Sequence, residues 1–284
     1  MAVQAPMHPF DQSLVVESIA PNRWRSPSSP LYWNAIGPYG GWIAAMLLHA
    51  VQSEPSAQGE PVALQAQFAG PIRQAPFTLV TSCLRQNRST AFWRSELRQM
   101  DAAGNENVCA HASITLSNWR TTRTISDAVM PMAPPALDLA VAPARRFRVP
   151  EFVQRYDFRP VRGILGQEQD NMNTLMWVRD ATPRALDARS VTALCDAPVP
   201  SIWLRMAAPV LITTVVYNIF FRASQAQLTA AGDGHVLLES RSAAGTAGFF
   251  DQDTNVWSEG GVLLAQTQQL AWFSDKLLVE TAPS

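Results

Sequence analysis

With 284 residues, 47% of them apolar, the chain is long enough for one large domain or two of ordinary size. Its 22 Lys and Arg against 23 Asp and Glu leave a net charge of −1, which excludes the basic field that a non-specific grip on nucleic acid requires. Three dispersed cysteines, Cys83, Cys109 and Cys195, fit a reducing compartment and exclude a disulfide framework or a cysteine zinc site.

The N-terminal MAVQAPMHPFDQ has neither a basic stretch nor an apolar core, so no signal peptide is expected there. FDQSLVVESI (10–19) reads as a strand, and PYGGWIAAMLLHAVQ (38–52) as a helix opened by glycines. Four strands are predicted next: VALQAQFAG (62–70), FTLVTSCLR (77–85), TAFWRSELRQM (90–100) and NVCAHASITLSNW (107–119). Proline-rich residues 121–150 lack a period of 2 or 3.6 and read as a linker between two globular halves, 1–120 and 151–284. The second half repeats the plan. NTLMWVRDA (173–181) is a strand, ARSVTALCD (188–196) a short helix, and LITTVVYNIFFRA (211–223), HVLLESRSA (235–243), GTAGFFDQ (245–252) and VLLAQTQQLAWF (262–273) complete a sheet. One helix followed by a run of antiparallel strands, present twice, indicates a duplicated α+β fold.

Residues 202–221, IWLRMAAPVLITTVVYNIFF, are apolar enough to suggest a membrane span. Arg205, Pro209 and Asn218 interrupt them, and a helix end running into a buried strand explains them better. A soluble, cytoplasmic protein is expected.

Several chemistries lack their sequence signatures. There is no G-x-S-x-G elbow, no P-loop and no G-x-G-x-x-G. His8, His49, His111 and His235 are scattered without metal-ligand spacing, so neither a metal nor another cofactor is implied. A carboxylate stands out instead. Asp196 follows the apolar helix around Val191 and Leu194 and precedes Pro198, which ends that helix. Helix C-termini disfavour anions. An ion pair with Arg189 or Arg205 would account for it without any function. Thr213 and Thr214 open a strand that is otherwise apolar, and Gln268 and Gln269 face opposite sides of the last one.

ALCDAPVPS (193–201), TTVVYNIFFR (213–222), ESRSAAGTAGFF (239–250) and GGVLLAQTQQ (260–269) resemble the acyl-CoA thioesterase II type of double hotdog protein. YGGWIAAMLLHAV (39–51), VALQAQFAGPI (62–72) and LRQNRSTAFWRSELRQMDAAGN (84–105) resemble that family's N-terminal repeat. The resemblance implies two fused hotdogs sharing one sheet, an acyl-CoA substrate and a homo-oligomer. Carried over position by position, the family's water-holding Asp, Thr and Gln fall on Asp196, Thr213 and Gln269. Gly40 and Gly41, at the start of a helix, would receive the oxyanion. The first half has Thr115 where the second has Gln269, and resembles the non-catalytic copy. The chain departs from the family at Ala66-Gln67 and Tyr217-Asn218, where His-Ser pairs are common, and at Val215-Val216, where Asp-His is usual. Two other functions fit the same fold: a non-catalytic acyl-thioester binding protein, and a dehydratase or hydratase, which would need a histidine beside Asp196.

Overall fold

The computed structural model describes residues 6–142, 149–166, 169–206 and 208–277. Thirteen strands form one sheet: β1 (Glu17–Ala20), β2 (Arg23–Ser26), β3 (Glu60–Phe68), β4 (Phe77–Gln86), β5 (Thr90–Met100), β6 (Glu106–Ser117), β7 (Tyr156–Arg162), β8 (Thr174–Asp180), β9 (Val210–Phe221), β10 (Val236–Arg241), β11 (Gly245–Thr246), β12 (Phe249–Ser258) and β13 (Leu263–Leu277). Four α-helices accompany them: α1 (Pro9–Ser13), α2 (Gly40–Gln52), α3 (Ala188–Leu194) and α4 (Gln225–Ala231).

The strand order is β1-β2-β4-β5-β6-β3-β9-β13-β12-β10-β8-β7, with β11 beside β12. Each half therefore has the same path. The first runs β2, α2, β3, β4, β5, β6 along the chain and 2-4-5-6-3 in space; the second runs β8, α3, β9, β10, β12, β13 and 8-10-12-13-9. The halves join where β3 and β9 pair antiparallel, Ala63 opposite Phe220 and Gln67 opposite Val216. This is a double hotdog, the α+β fold that the duplicated pattern implies.

Strand alternation sorts side chains to two faces. Leu64, Ala66, Trp93, Leu97, Ala112, Ile114, Tyr217, Ile219 and Ala265 point inward and are buried. They pack around α2, whose GGWIAAMLLHAVQ is apolar on almost every side and is buried from Gly41 to Leu48 and again at Ala50 and Val51. A helix without a polar face belongs inside a core. α3 lies against α2 and runs the other way, its start near His49 and its end near Gly41. Among the described residues no helix is long and apolar enough to cross a membrane. Within the stretch weighed as a membrane span, Ser201–Arg205 is a 3-10 turn and Val210–Phe221 is β9.

Several elements differ from the sequence reading. β2 was not expected, and the strand expected over 245–252 is a hairpin of β11 and the start of β12. The strand expected over 10–19 is reduced to β1, because Pro9 at the first helical position and the His8 ring, which accepts from the Phe10 N–H, start α1 there. Phe10 and Leu14, one turn apart, then anchor it in the core. α4, capped by Ser224 and Gln227, and β7 had no clear apolar period and were not anticipated. Residues 121–150 also differ; 143–148 lie outside the described residues. The stretch around 130–139 is a strap across the outer face of the second half. Met130, Ala133, Ala136 and Leu139 pack on Leu175, Trp177, Leu237 and Trp257. Trp177 Nε1 donates to the Pro134 carbonyl at 2.9 Å, and Arg159 donates to the carbonyls of Ala136 and Leu139. Proline-rich backbone lacks internal partners, so the sheet's side chains supply them.

Trp177→Ala removes both the apolar floor and the hydrogen bond of this strap. A loss of about 3–5 kcal/mol in urea unfolding is expected, with new protease cleavage in 121–139. A loss below about 1 kcal/mol would show that the strap contributes little to the fold.

Candidate active site

Asp187 starts α3 with a reciprocal capping box, its side chain accepting from the Ser190 N–H and the Ser190 hydroxyl accepting from the Asp187 N–H. Seven residues later the helix stops, and Asp196 stands just beyond its end. The Asp196 carboxylate is held at both oxygens. Gln269 Nε2 donates to Oδ1 at 2.6 Å, and the Gly41 N–H donates to Oδ2 at 2.7 Å. Neither arginine suggested by the sequence reaches it. Arg189 pairs with Asp187 and Asp11, and Arg205 donates to the Asp170 carbonyl. Among the described residues no cation forms an ion pair with Asp196.

Burial pushes the Asp196 carboxyl up to about 7, against the opposing hydrogen bonds of Gln269 and Gly41. Its neighbour Cys195 is fully buried, and burial raises its thiol far above the ordinary range. A thiol so disposed is a poor nucleophile at neutral pH.

Gly40 and Gly41 bring the two helices together. A Cβ on Gly41 would lie 2.6 Å from the Ala193 carbonyl oxygen, 2.8 Å from Asp196 Cβ and 2.9 Å from Tyr39 Cζ. One on Gly40 would lie 3.0 Å from Asp196 Oδ2 and 3.4 Å from Phe68 Cζ. Glycine is needed here for close approach, not for a turn. The expectation that both glycines serve an oxyanion needs correction: the Gly41 N–H is committed to Asp196. The Gly40 N–H has no protein acceptor among the described residues and sits at the first, unpaired position of α2.

Gln269 lies inward on β13, between Tyr217 of β9 and Gln252 of β12. Gln252 in turn accepts from the Ser201 N–H at 2.7 Å. The two carried-over residues Asp196 and Gln269 are therefore brought together, but Thr213 is not. Regular alternation from the inward Tyr217 would turn Val215 and Thr213 inward as well. The register instead shifts: Leu270 pairs with Val216, and Ala271 pairs with Thr214. Val215 is the extra residue of a β-bulge, and a bulge reverses the facing of what precedes it. Thr214 shares the inward side with buried Ala271, while Thr213 pairs with Trp272 on the outer face and is exposed. The threonine carried over by alignment thus faces outward, and its neighbour Thr214 faces inward. Sequence reasoning also passed over Tyr39 and Phe68; a tyrosine directly before the glycine pair was the available signal.

The histidine a dehydratase would need is elsewhere. His49 lies two turns along α2 from Gly41, beside Asp187 and Arg189. His111 is on β6 between Glu96 and Gln67 on the outer face, and His235 contacts Asp157 at 3.2 Å.

Residues 29–117 match the model of the acyl-CoA thioesterase N-terminal domain, and residues 130–273 that of the acyl-CoA thioesterase C-terminal domain. Similar solved structures include a conserved protein of unknown function with a hot dog fold from Alicyclobacillus acidocaldarius. It is 32% identical, with a TM-score of 0.89 over 98% of this chain and 100% of that one. A putative thioesterase II from Thermobifida fusca YX is 20% identical, with a TM-score of 0.82 over 95% and 99% of the two chains. An acyl-CoA thioesterase II from Mycobacterium marinum is 18% identical, with a TM-score of 0.73 over 93% and 98%. No curated protein matches. The matched domains thus take in β3 to β6 of the first half and most of the second, and the chain belongs to the acyl-CoA thioesterase family.

Proposed function

We propose that this protein hydrolyses an acyl-CoA thioester to a free acid and CoA, using a water activated by Asp196. The observation that carries this reading is a half-buried carboxylate with no cation partner among the described residues, held by one amide and one helix N–H. Two donors are too few to satisfy the four lone-pair directions of a carboxylate, so Asp196 retains acceptor capacity for a water. Gln269 fixes the carboxylate, and Thr214, from the same face of the sheet, is the threonine suited to orient the water. The ionised carboxylate takes the water's proton as the oxygen attacks the thioester carbonyl. Charge on the carbonyl oxygen then develops near the start of α2, where the Gly40 N–H and the helix dipole favour an anion. Collapse expels the thiolate, and the proton held on Asp196 is available to it. Acyl-CoA as substrate and a homo-oligomeric assembly rest on family membership.

Asp196→Asn keeps the shape, and a turned Gln269 amide can still pair with it. In thiol-release assays over short, long, branched and aromatic acyl-CoAs, kcat should fall about 10²–10⁴-fold with KM little changed. Equal rates in both proteins would remove Asp196 from the mechanism. Binding of acyl-CoA without release by the wild type would instead favour the non-catalytic reading. Thr214→Val should lower kcat at least about tenfold, as one lost transition-state hydrogen bond of about 1.4 kcal/mol does, whereas Thr213→Val should leave it unchanged. The reverse result would restore the threonine chosen by alignment.

The raised carboxyl sets the pH dependence. Asp196 is protonated below about 7, so kcat/KM should rise through that pH and level off above it. A profile flat from pH 5 to 9 would contradict an Asp196 base. Stability runs the opposite way. A folded-state value above the unfolded one means that the native state holds the extra proton, and stability is lost as pH rises from about 4 to 7. Asp180, also pushed up to about 7 by burial, titrates in the same window. The measurement is therefore the difference between wild type and Asp196→Asn, with the variant gaining relative stability as pH rises.

A further inference from the structure

An anion just past the end of α3 meets a helix terminus of its own sign. The backbone of that last turn is covered more completely than a helix end requires. The Cys195 N–H donates to the Val191 carbonyl at 2.9 Å, the Asp196 N–H to Ala193 at 3.1 Å, and the Ala197 N–H to Leu194 at 3.0 Å. Two side-chain hydroxyls add to these. Tyr39 Oη donates to the Ala193 carbonyl at 2.5 Å, and Tyr217 Oη donates to the Thr192 carbonyl at 2.9 Å.

The two tyrosines come from opposite halves of the chain. Tyr39 is the residue before α2, and Tyr217 sits on β9 directly opposite Gln269. Both are buried, Tyr39 at 2% and Tyr217 at 0% exposure. The Tyr39 ring is clamped by stacking on Phe152 with centroids 4.2 Å apart, and by an edge contact with Tyr156 at 6.2 Å. Their rotamers are thus fixed by packing, and burial keeps both hydroxyls protonated, so each remains a donor. A buried tyrosine hydroxyl needs some partner. Here each donates to a carbonyl of the turn that leads into Asp196, and Tyr217 Oη also meets the Cys195 thiol.

We infer that Tyr39 and Tyr217 are positioning residues for Asp196: their hydroxyls tie up the Thr192 and Ala193 carbonyls and so reduce the electrostatic cost of ionising the carboxylate beyond them. The inference rests on the proposed function for its kinetic consequence but not for its electrostatic one. The groups around Asp196 add no competing charge at neutral pH. They are Cys195 on its own segment, Tyr39 before α2, Tyr156 on β7, Tyr217 on β9 and Gln269 on β13, all uncharged. Among the described residues two donors favour the ionised form, the Gly41 N–H at the start of α2 and the Gln269 amide. Losing the Tyr217 hydroxyl takes the donor from the Thr192 carbonyl, and losing the Tyr39 hydroxyl leaves the Ala193 carbonyl with the Asp196 N–H alone, so in either case the carbonyl end of α3 is less neutralised and the protonated form gains.

The test compares wild type with Tyr39→Phe, Tyr217→Phe and the double variant. The Asp196 carboxyl is followed by ¹³C NMR titration, assigned by its loss in Asp196→Asn, alongside kcat/KM from pH 5 to 9 and thermal unfolding. Each single variant should titrate about half a unit to one unit higher than wild type, the size of a helix-terminus interaction. At pH 6 its kcat/KM should be about 3- to 10-fold lower, converging with wild type at pH 9 and with KM unchanged. Should the phenylalanine variants fail to fold, 3-fluorotyrosine placed at 217 keeps the shape and strengthens the donor, and the titration should move down. An unmoved Asp196 titration, whatever the change in unfolding temperature, overturns the inference, as does a loss of activity equal at every pH. A moved titration in a protein that releases no thiol would uphold the positioning role and sink the thioesterase reading.

Discussion

The contact between the start of α2 and the end of α3 organises the rest of the molecule. Two helices meet there with opposite polarity, the N–H end of one against the carbonyl end of the other, and Asp196 lies in the junction. The approach is possible only because Gly41 has no Cβ; any side chain there would sit inside van der Waals contact of Ala193 and Asp196. Without that proximity Asp196 would be left with the charge of its own helix end and a single amide. With it, a residue in an unfavourable position becomes a carboxylate poised near neutrality.

Duplication explains why each half contributes to one site. The pairing of β3 with β9 fixes the two halves as one surface, and α2, which packs on β4, β5 and β6 of its own half, meets α3 of the second. Tyr39, Gly41 and Phe68 come from the first repeat; Asp196, Thr214, Tyr217 and Gln269 come from the other. The copies have diverged around this junction. α2 is a thirteen-residue helix buried nearly all round, while α3 is seven residues long and stops just short of Asp196. Thr115, which the sequence alignment sets against Gln269, faces outward opposite Ala63 and Phe92, and the inward residues of β6, Ala110, Ala112, Ile114 and Leu116, are apolar, so that strand has no amide of this kind to hold an acid.

The outer face of the sheet is treated differently in its two halves. In the second, outward Leu175, Trp177, Leu237 and Trp257 would make an apolar patch, and the strap at 130–139 covers it. Across the middle of the sheet the outward positions Arg94, Ser113, Gln65, Asn218, Gln268 and Asp253 form one polar row and need no cover. The strap is thus part of the packing of the second repeat, and prolines suit it because its route offers few backbone partners.

Much of this could be read from the sequence. The glycine-led apolar helix, the period-2 strands and their repetition gave the fold class, since binary pattern is local and is carried by each segment alone. Asp196 stood out because a carboxylate between Cys195 and Pro198 violates a local preference, and such violations mark places where something other than stability sets the residue. The strap could not be read, because an irregular proline-rich segment reveals its route only through the tryptophan and arginine that bind it. Nor could the choice between Thr213 and Thr214. Alternation along β9 is broken by a bulge at Val215, and a bulge is a property of two strands in register, not of one strand's composition. The commitment of the Gly41 N–H to Asp196, and the tyrosine hydroxyls on the α3 carbonyls, likewise belong to the tertiary structure. Each joins residues more than 20 positions apart, Tyr39 to Ala193 or Tyr217 to Thr192, and their spacing is set by how two helices and a shared sheet pack.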